Sequence, residues 1–126
     1  MTEKFHRAIT LDALPEGQSA AVEIAGWPVL ICRTNGDFHA LINRCTHADS
    51  QLAGGRIRHG AIMCPAHGAP FKLATGECMA RLPYRPLKVF PLREIGGWIE
   101  VAVPDAPPPA QYQPVPQPAG SNASEL

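Results

Sequence analysis

Over most of residues 1–103, apolar and polar side chains alternate with a period of two, and turn-forming residues recur every eight to twelve positions. Successive side chains of a strand face opposite sides of a sheet, so this pattern specifies many short strands rather than helices. Strands are expected over 5–10, 20–24, 29–34, 38–43, 61–64, 71–73, 87–93 and 98–103. Asn35-Gly36 and Gly96-Gly97 each separate two such runs. They are two-residue hairpin signals, since a type I′ turn needs positive φ at both central positions. A short helix fits 11–16. The expected domain is all-β and built of antiparallel hairpins. No strand pattern fits the Gly-rich stretch 44–60, and loops that escape the pattern often carry function.

Composition changes the picture at one place. Residues 104–126 hold seven of the chain's 14 prolines, with Asp105 and Glu125 as the only charges. Such a segment builds no core, so 1–103 is expected as the folded domain and 104–126 as a Pro-rich tail, polyproline-like or disordered, more exposed than docked, with wrapping of the domain as the alternative. The 126 residues carry 11 Lys+Arg against 11 Asp+Glu. That balance gives no whole-chain attraction to nucleic acid or anionic lipid, so neither is an expected partner. No apolar run reaches the roughly 18 residues of a membrane-spanning helix. Met1–Arg7 lacks the apolar core of a secretory signal, which points to the cytoplasm. In that reducing compartment the four cysteines read as metal ligands or buried thiols, not as a disulfide framework.

Two pairs of residues carry the candidate chemistry. The irregular stretch opens with Arg44-Cys45-Thr46-His47, and after a further strand comes Cys64-Pro65-Ala66-His67-Gly68. The spacing is C-x-H-x16-C-x2-H. Each loop offers one soft thiolate and one imidazole, and four ligands converge if the strands place the loops side by side. A structural zinc site is the plain alternative, but zinc fingers usually pair cysteine with cysteine and histidine with histidine. Here each loop mixes the two types. In this the chain resembles the Rieske [2Fe–2S] family, in which one iron takes two cysteines and the other two histidines. The resemblance covers about residues 1–103 and is strongest over 43–103. It implies a Rieske-like antiparallel β-sandwich with two cluster-binding loops at one tip. It also implies one [2Fe–2S] cluster, with Cys45 and Cys64 on the buried iron and His47 and His67 on the outer one.

Charge counting gives that ligand set its purpose. In the oxidised centre two ferric ions are balanced by two sulfides and two thiolates, so it is neutral, whereas a four-cysteine cluster is an anion. Adding an electron to the neutral centre costs less, which lifts the potential from about −400 mV to between about −150 and +300 mV. The potential is expected to fall as pH rises through ionisation of the ligand imidazoles. High-potential members of the family resemble C-T-H-L-G-C and C-P-C-H-G-S-x-Y, with a disulfide joining the loops and Ser and Tyr hydroxyls on sulfur. Here Ser50 and Ala66 stand in place of those paired cysteines, Ala69 in place of the serine and Phe71 in place of the tyrosine. The resemblance therefore implies the low end of the range, roughly −150 mV. Amides of Gly54, Gly55 and Gly68 are expected to point at the sulfides.

The other candidates take plainer readings. Cys32 lies in an apolar strand and reads as a core thiol; Cys78, after the Thr75-Gly76 turn, reads as a surface thiol. His6, His39 and His59 read as strand or turn residues, and Leu82-Pro83 resembles the proline segment that covers the cluster in the family. Between 44 and 88, seven basic residues (Arg44, Arg56, Arg58, Lys72, Arg81, Arg85 and Lys88) face only Asp49 and Glu77. A positive cluster tip would steer an acidic partner, and Arg56 and Arg58 are the expected handles.

No nucleophile–base pair, phosphate loop or carboxylate dyad is present, so the chain is expected to carry electrons rather than transform a substrate. The resemblance implies a monomeric ferredoxin. It would pass single electrons from a flavin-dependent reductase to a terminal Rieske non-haem-iron oxygenase that hydroxylates aromatic rings. The alternatives are the small subunit of an assimilatory nitrite reductase, a redox sensor and a zinc-stapled interaction module.

Overall fold

The computed structural model describes residues 3–46, 50–81 and 83–115. In chain order its strands are β1 (Glu3–Thr10), β2 (Ser19–Ile24), β3 (Trp27–Thr34), β4 (Asp37–Ile42), β5 (Ile57–Arg58), β6 (Ala61–Met63), β7 (Pro70–Lys72), β8 (Val89–Phe90), β9 (Leu92–Ile95) and β10 (Trp98–Pro104). They form three antiparallel sheets, ordered β1-β10-β9, β2-β3-β4-β8 and β5-β6-β7. Among the described residues no helix is long and apolar enough to cross a membrane.

Strand β3 is the centre of the core. Its first six residues, Trp27 to Cys32, are all buried. A continuous apolar run of this kind marks a strand covered on both faces, unlike its half-exposed partner β2. Val29, Leu30, Ile31, Leu41, Ile42, Phe90, Ile99 and Val101 pack around it in one cluster that also takes in Cys45 and Cys64. The two Cys-and-His loops therefore spring from the main core.

The expected hairpins form at Asn35-Gly36 (φ 54° and 81°) and Gly96-Gly97 (φ 57° and 82°). Two more of the same kind, Ala25-Gly26 and His59-Gly60, also have positive φ at both positions. Ala25 and His59 adopt the left-handed backbone without being glycine, which is why composition did not flag them.

Four expectations need correction. Residues 11–16 form no α-helix; a single 3-10 turn occupies Leu11–Ala13. The single strand expected over 87–93 is two, split at Pro91, which has no N–H to continue a ladder. At that point the chain leaves β4 for β10, and the Pro91 carbonyl accepts from Ala102 N–H at 2.9 Å. The irregular stretch contains β5, a strand of two residues and too short to show a period. The fourth concerns the segment beyond β10: most of its described residues are exposed, but it takes the lesser alternative and wraps back onto the domain. The Trp27 indole donates to the Ala106 carbonyl at 3.0 Å and its ring meets that of Tyr112 at 5.8 Å.

Candidate metal centre

The small β5-β6-β7 sheet positions the second candidate loop. Strands β6 and β7 pair as far as Met63 opposite Pro70, which leaves Cys64–Ala69 as the connection. The Cys64 N–H donates to the Ala69 carbonyl at 2.9 Å and closes the loop's neck. Inside it Gly68 donates to the Cys64 carbonyl at 2.8 Å with φ +77°, a left-handed conformation that glycine adopts without a Cβ penalty. The first loop leaves β4 through Asn43 and closes in the same way, Cys45 N–H donating to the Ser50 carbonyl at 2.9 Å. In both loops the cysteine amide reaches the carbonyl five residues on. The two motifs fold as equivalents at their necks although their histidine spacings differ.

Buried polar contacts join the loops. Asn43 is 5% exposed, and its Oδ1 accepts from the Leu52 and Ala53 amides, each at 2.9 Å. Leu52 in turn accepts from Gly55 N–H, and Met63 N–H donates to Arg56, both at 2.9 Å. Gly55 stands so close to the Met63 carbonyl that any Cβ would overlap it. The run Asn43–Leu52–Gly55–Met63 thus connects the entry of the first loop to the residue preceding Cys64. On its outer side the first loop is tied down by Thr46 Oγ1, which donates to the Arg85 carbonyl at 2.6 Å. Asn43 carried a visible signal, a polar residue ending the apolar run Ala40-Leu-Ile, and Gly55 stood out only as a possible amide donor to sulfide.

Burial separates the candidate ligands. Cys45 and Cys64 are 3% and 1% exposed, whereas His67 is exposed at the loop tip. His47, with Ala48 and Asp49, lies outside the described residues, as does Leu82. Among the described residues no group of three or more His, Cys, Asp or Glu side chains assembles as a metal site. Thiols inside and an imidazole outside fit a centre anchored to the core by sulfur and reaching the surface through nitrogen.

Two readings of neighbouring groups change. The Gly55 and Gly68 amides, expected to face sulfides, donate instead to the Leu52 and Cys64 carbonyls. Cys78 is not a surface thiol: it is 5% exposed, bridged to Phe71 across a hairpin. Cys32 is fully buried, and loss of hydration pushes its thiol from 9.0 up to about 12. His39 lies opposite Cys32, and burial, only partly offset by Asp37, lowers its pKa. His6 lies in β1, and exposed His59 in the β5–β6 turn.

Fold and site together define a small β protein with two Cys-and-His loops whose cysteines are seated in its core. The Rieske [2Fe-2S] domain model matches residues 4–91; the chain belongs to that family, and its cofactor is one Rieske-type [2Fe–2S] cluster. It is 31% identical over 97 residues to the 3-phenylpropionate/cinnamic acid dioxygenase ferredoxin subunit of Shigella flexneri, covering 75% of this chain and 90% of that one. The ferredoxin of carbazole 1,9a-dioxygenase from Nocardioides aromaticivorans has a similar structure, with TM-score 0.73 and 29% identity over 86% of this chain and all of that one. A chain in a complex of reduced oxygenase and oxidised ferredoxin of carbazole 1,9a-dioxygenase matches with TM-score 0.73 and 27% identity, covering 78% of this chain and 92% of that one. The chain also shares 41% identity over 64 residues with apoptosis-inducing factor 3 of mouse and human, where the match spans 51% of this chain but 11% of theirs.

Proposed function

We propose that the chain is a monomeric, cytoplasmic electron carrier, taking one electron from a flavin-dependent reductase and delivering it to a terminal oxygenase that hydroxylates aromatic rings. Cys45 and Cys64 hold the inner iron, and His47 and His67 the outer one. When bound, the cluster supplies a single reversible electron. The observation that carries this reading is the contrast between two core-anchored cysteines and an exposed His67 on loops with equivalent necks. The cysteines fix the centre from within, and His67 brings its edge to the surface where a partner docks. Identities of 31% and 29% to dioxygenase ferredoxins support this partner class over a nitrite reductase, whose small subunit from Mycobacterium tuberculosis shares the fold at 24% identity. Residues 1–103 form the cluster domain in this reading, and 104–126 an appendage to it.

The test is visible absorption and low-temperature EPR of the protein before and after dithionite. A red-brown protein giving a reduced [2Fe–2S] signal with average g below that of the free electron supports the reading. The signal should be lost in Cys45→Ser and Cys64→Ser and altered in His67→Cys. A colourless zinc protein without acid-labile sulfide overturns it in favour of the interaction module. Obligate co-purification with a large reductase overturns the transient-carrier part.

A further inference from the structure

The segment after β10 makes a series of specific contacts along the neck of the first loop. Arg44, immediately before Cys45, donates from Nη1 to the Ala110 and Gln113 carbonyls, both at 3.0 Å. Gln51, immediately after Ser50, donates from Nε2 to the Val115 carbonyl at 2.8 Å. Gln51 Oε1 also accepts from Asn43 Nδ2 at 3.4 Å, which links the segment to the buried asparagine. Tyr112, at the end of a 3-10 turn (Ala110–Tyr112), anchors the segment by packing its ring at a 36° tilt against Trp27, whose indole holds Ala106. A cavity of about 290 Å³, lined in part by Asn43, Gln51, Pro114 and Val115, remains beneath its far end. The segment is therefore held at discrete points and not by continuous packing.

We propose that residues 105–115 are a strap that clamps the first ligand loop at entry and exit, with Arg44, Gln51 and Tyr112 as positioning residues. The proposal rests on that loop holding the cluster. Both sides of the loop's neck, closed by Cys45 and Ser50, are fixed to one external segment. Pro107, Pro108 and Pro109 restrict φ, so less chain entropy is lost when the segment docks than for a flexible linker. Ordering the loop before the metal arrives lowers the entropy cost of binding it and fixes the donor geometry.

Amide hydrogen exchange on the full-length chain as isolated tests the strap. Tyr112→Ala should speed exchange of the Cys45 and Leu52 amides about tenfold and leave Ile31 and Val101 unchanged. Tyr112→Phe, which keeps the ring on Trp27, should behave as wild type. Gln51→Ala should raise the same two rates, and its effect should shrink in the Tyr112→Ala background if both act through one strap. In the cluster-loaded protein Tyr112→Ala should accelerate cluster loss to a ferrous chelator by a similar factor. Unchanged loop amides, or a rise shared equally by Ile31 and Val101, overturn the proposal. If the wild-type chain takes up no cluster, the electron-carrier reading fails, while exchange still decides the strap.

Discussion

Thr46 Oγ1 donates a 2.6 Å hydrogen bond to the carbonyl oxygen of Arg85, 39 residues away in sequence. This bond fastens the first loop, one residue past Cys45, to the segment between β7 and β8. Replacing the hydroxyl with a methyl group of the same shape leaves the Arg85 carbonyl without this donor. Thr46→Val is expected to cost about 1 kcal/mol in stability. Because the lost contact is local, the loaded protein should also release its cluster faster than the stability change alone explains. Urea unfolding and chelator kinetics on the same samples measure both.

Gly55 and Gly68 are both in the site, and alanine should act on them differently. At Gly55 the new Cβ overlaps the Met63 carbonyl, a backbone atom that cannot move without shifting β6. At Gly68 nothing lies within 4 Å, and the cost is only that of a left-handed backbone at φ +77°. Gly55→Ala should therefore destabilise by more than about 3 kcal/mol, and Gly68→Ala by about 1–2 kcal/mol. Thermal melts of the two variants side by side check the order.

The same contrast shows what could be seen in the sequence. Alternation and short apolar runs located most strands, β6 and β7 of the small sheet included, but merged β8 and β9 into one. Cys45, His47, Cys64 and His67 stood out because their spacing is chemical and does not depend on knowing the fold. The contacts linking the loops did not stand out: Thr46 acts through the Arg85 backbone, and Gly55 acts by lacking an atom. Two-residue β5 carries no periodicity. Docking of the Pro-rich segment depends on Trp27 and Tyr112 meeting across the fold, and proline content alone did not reveal it.

Cys32 makes stability depend on alkaline pH. Its thiol is raised from 9.0 to about 12 in the native state because the thiolate would be buried without hydration. The native state thus keeps a proton that the unfolded chain gives up. The contribution is fully present below about pH 9 and is lost as pH rises toward 12. His39 acts with the opposite slope: burial lowers its pKa, so its contribution is present above 6.5 and declines as pH falls through the lowered value. Denaturation midpoints from pH 8 to 11 should fall more steeply in the wild type than in Cys32→Val. Equal slopes would show that the thiol does not carry the effect.

The charge of the tip can be mapped without a protein partner. Arg85 is exposed and its backbone is bonded to Thr46 in the first loop, whereas Arg58 adjoins the His59-Gly60 turn at the end of β6 away from Cys64. Arg58 pairs with Ala61, three residues before Cys64, which sets it roughly 10 Å from that cysteine along the strand. That exceeds the screening length of about 8 Å at physiological ionic strength, so Arg58 should influence the tip only in dilute salt. Ferricyanide, an anionic oxidant, should oxidise reduced Arg85→Glu several-fold more slowly than wild type at low salt. Cationic hexaammineruthenium should react faster with the variant. Arg58→Glu should show a smaller effect that disappears first as salt is added. Equal responses from the two reversals, or the same sign with both oxidants, would place the positive field away from the cluster loops and remove electrostatic steering from the docking argument.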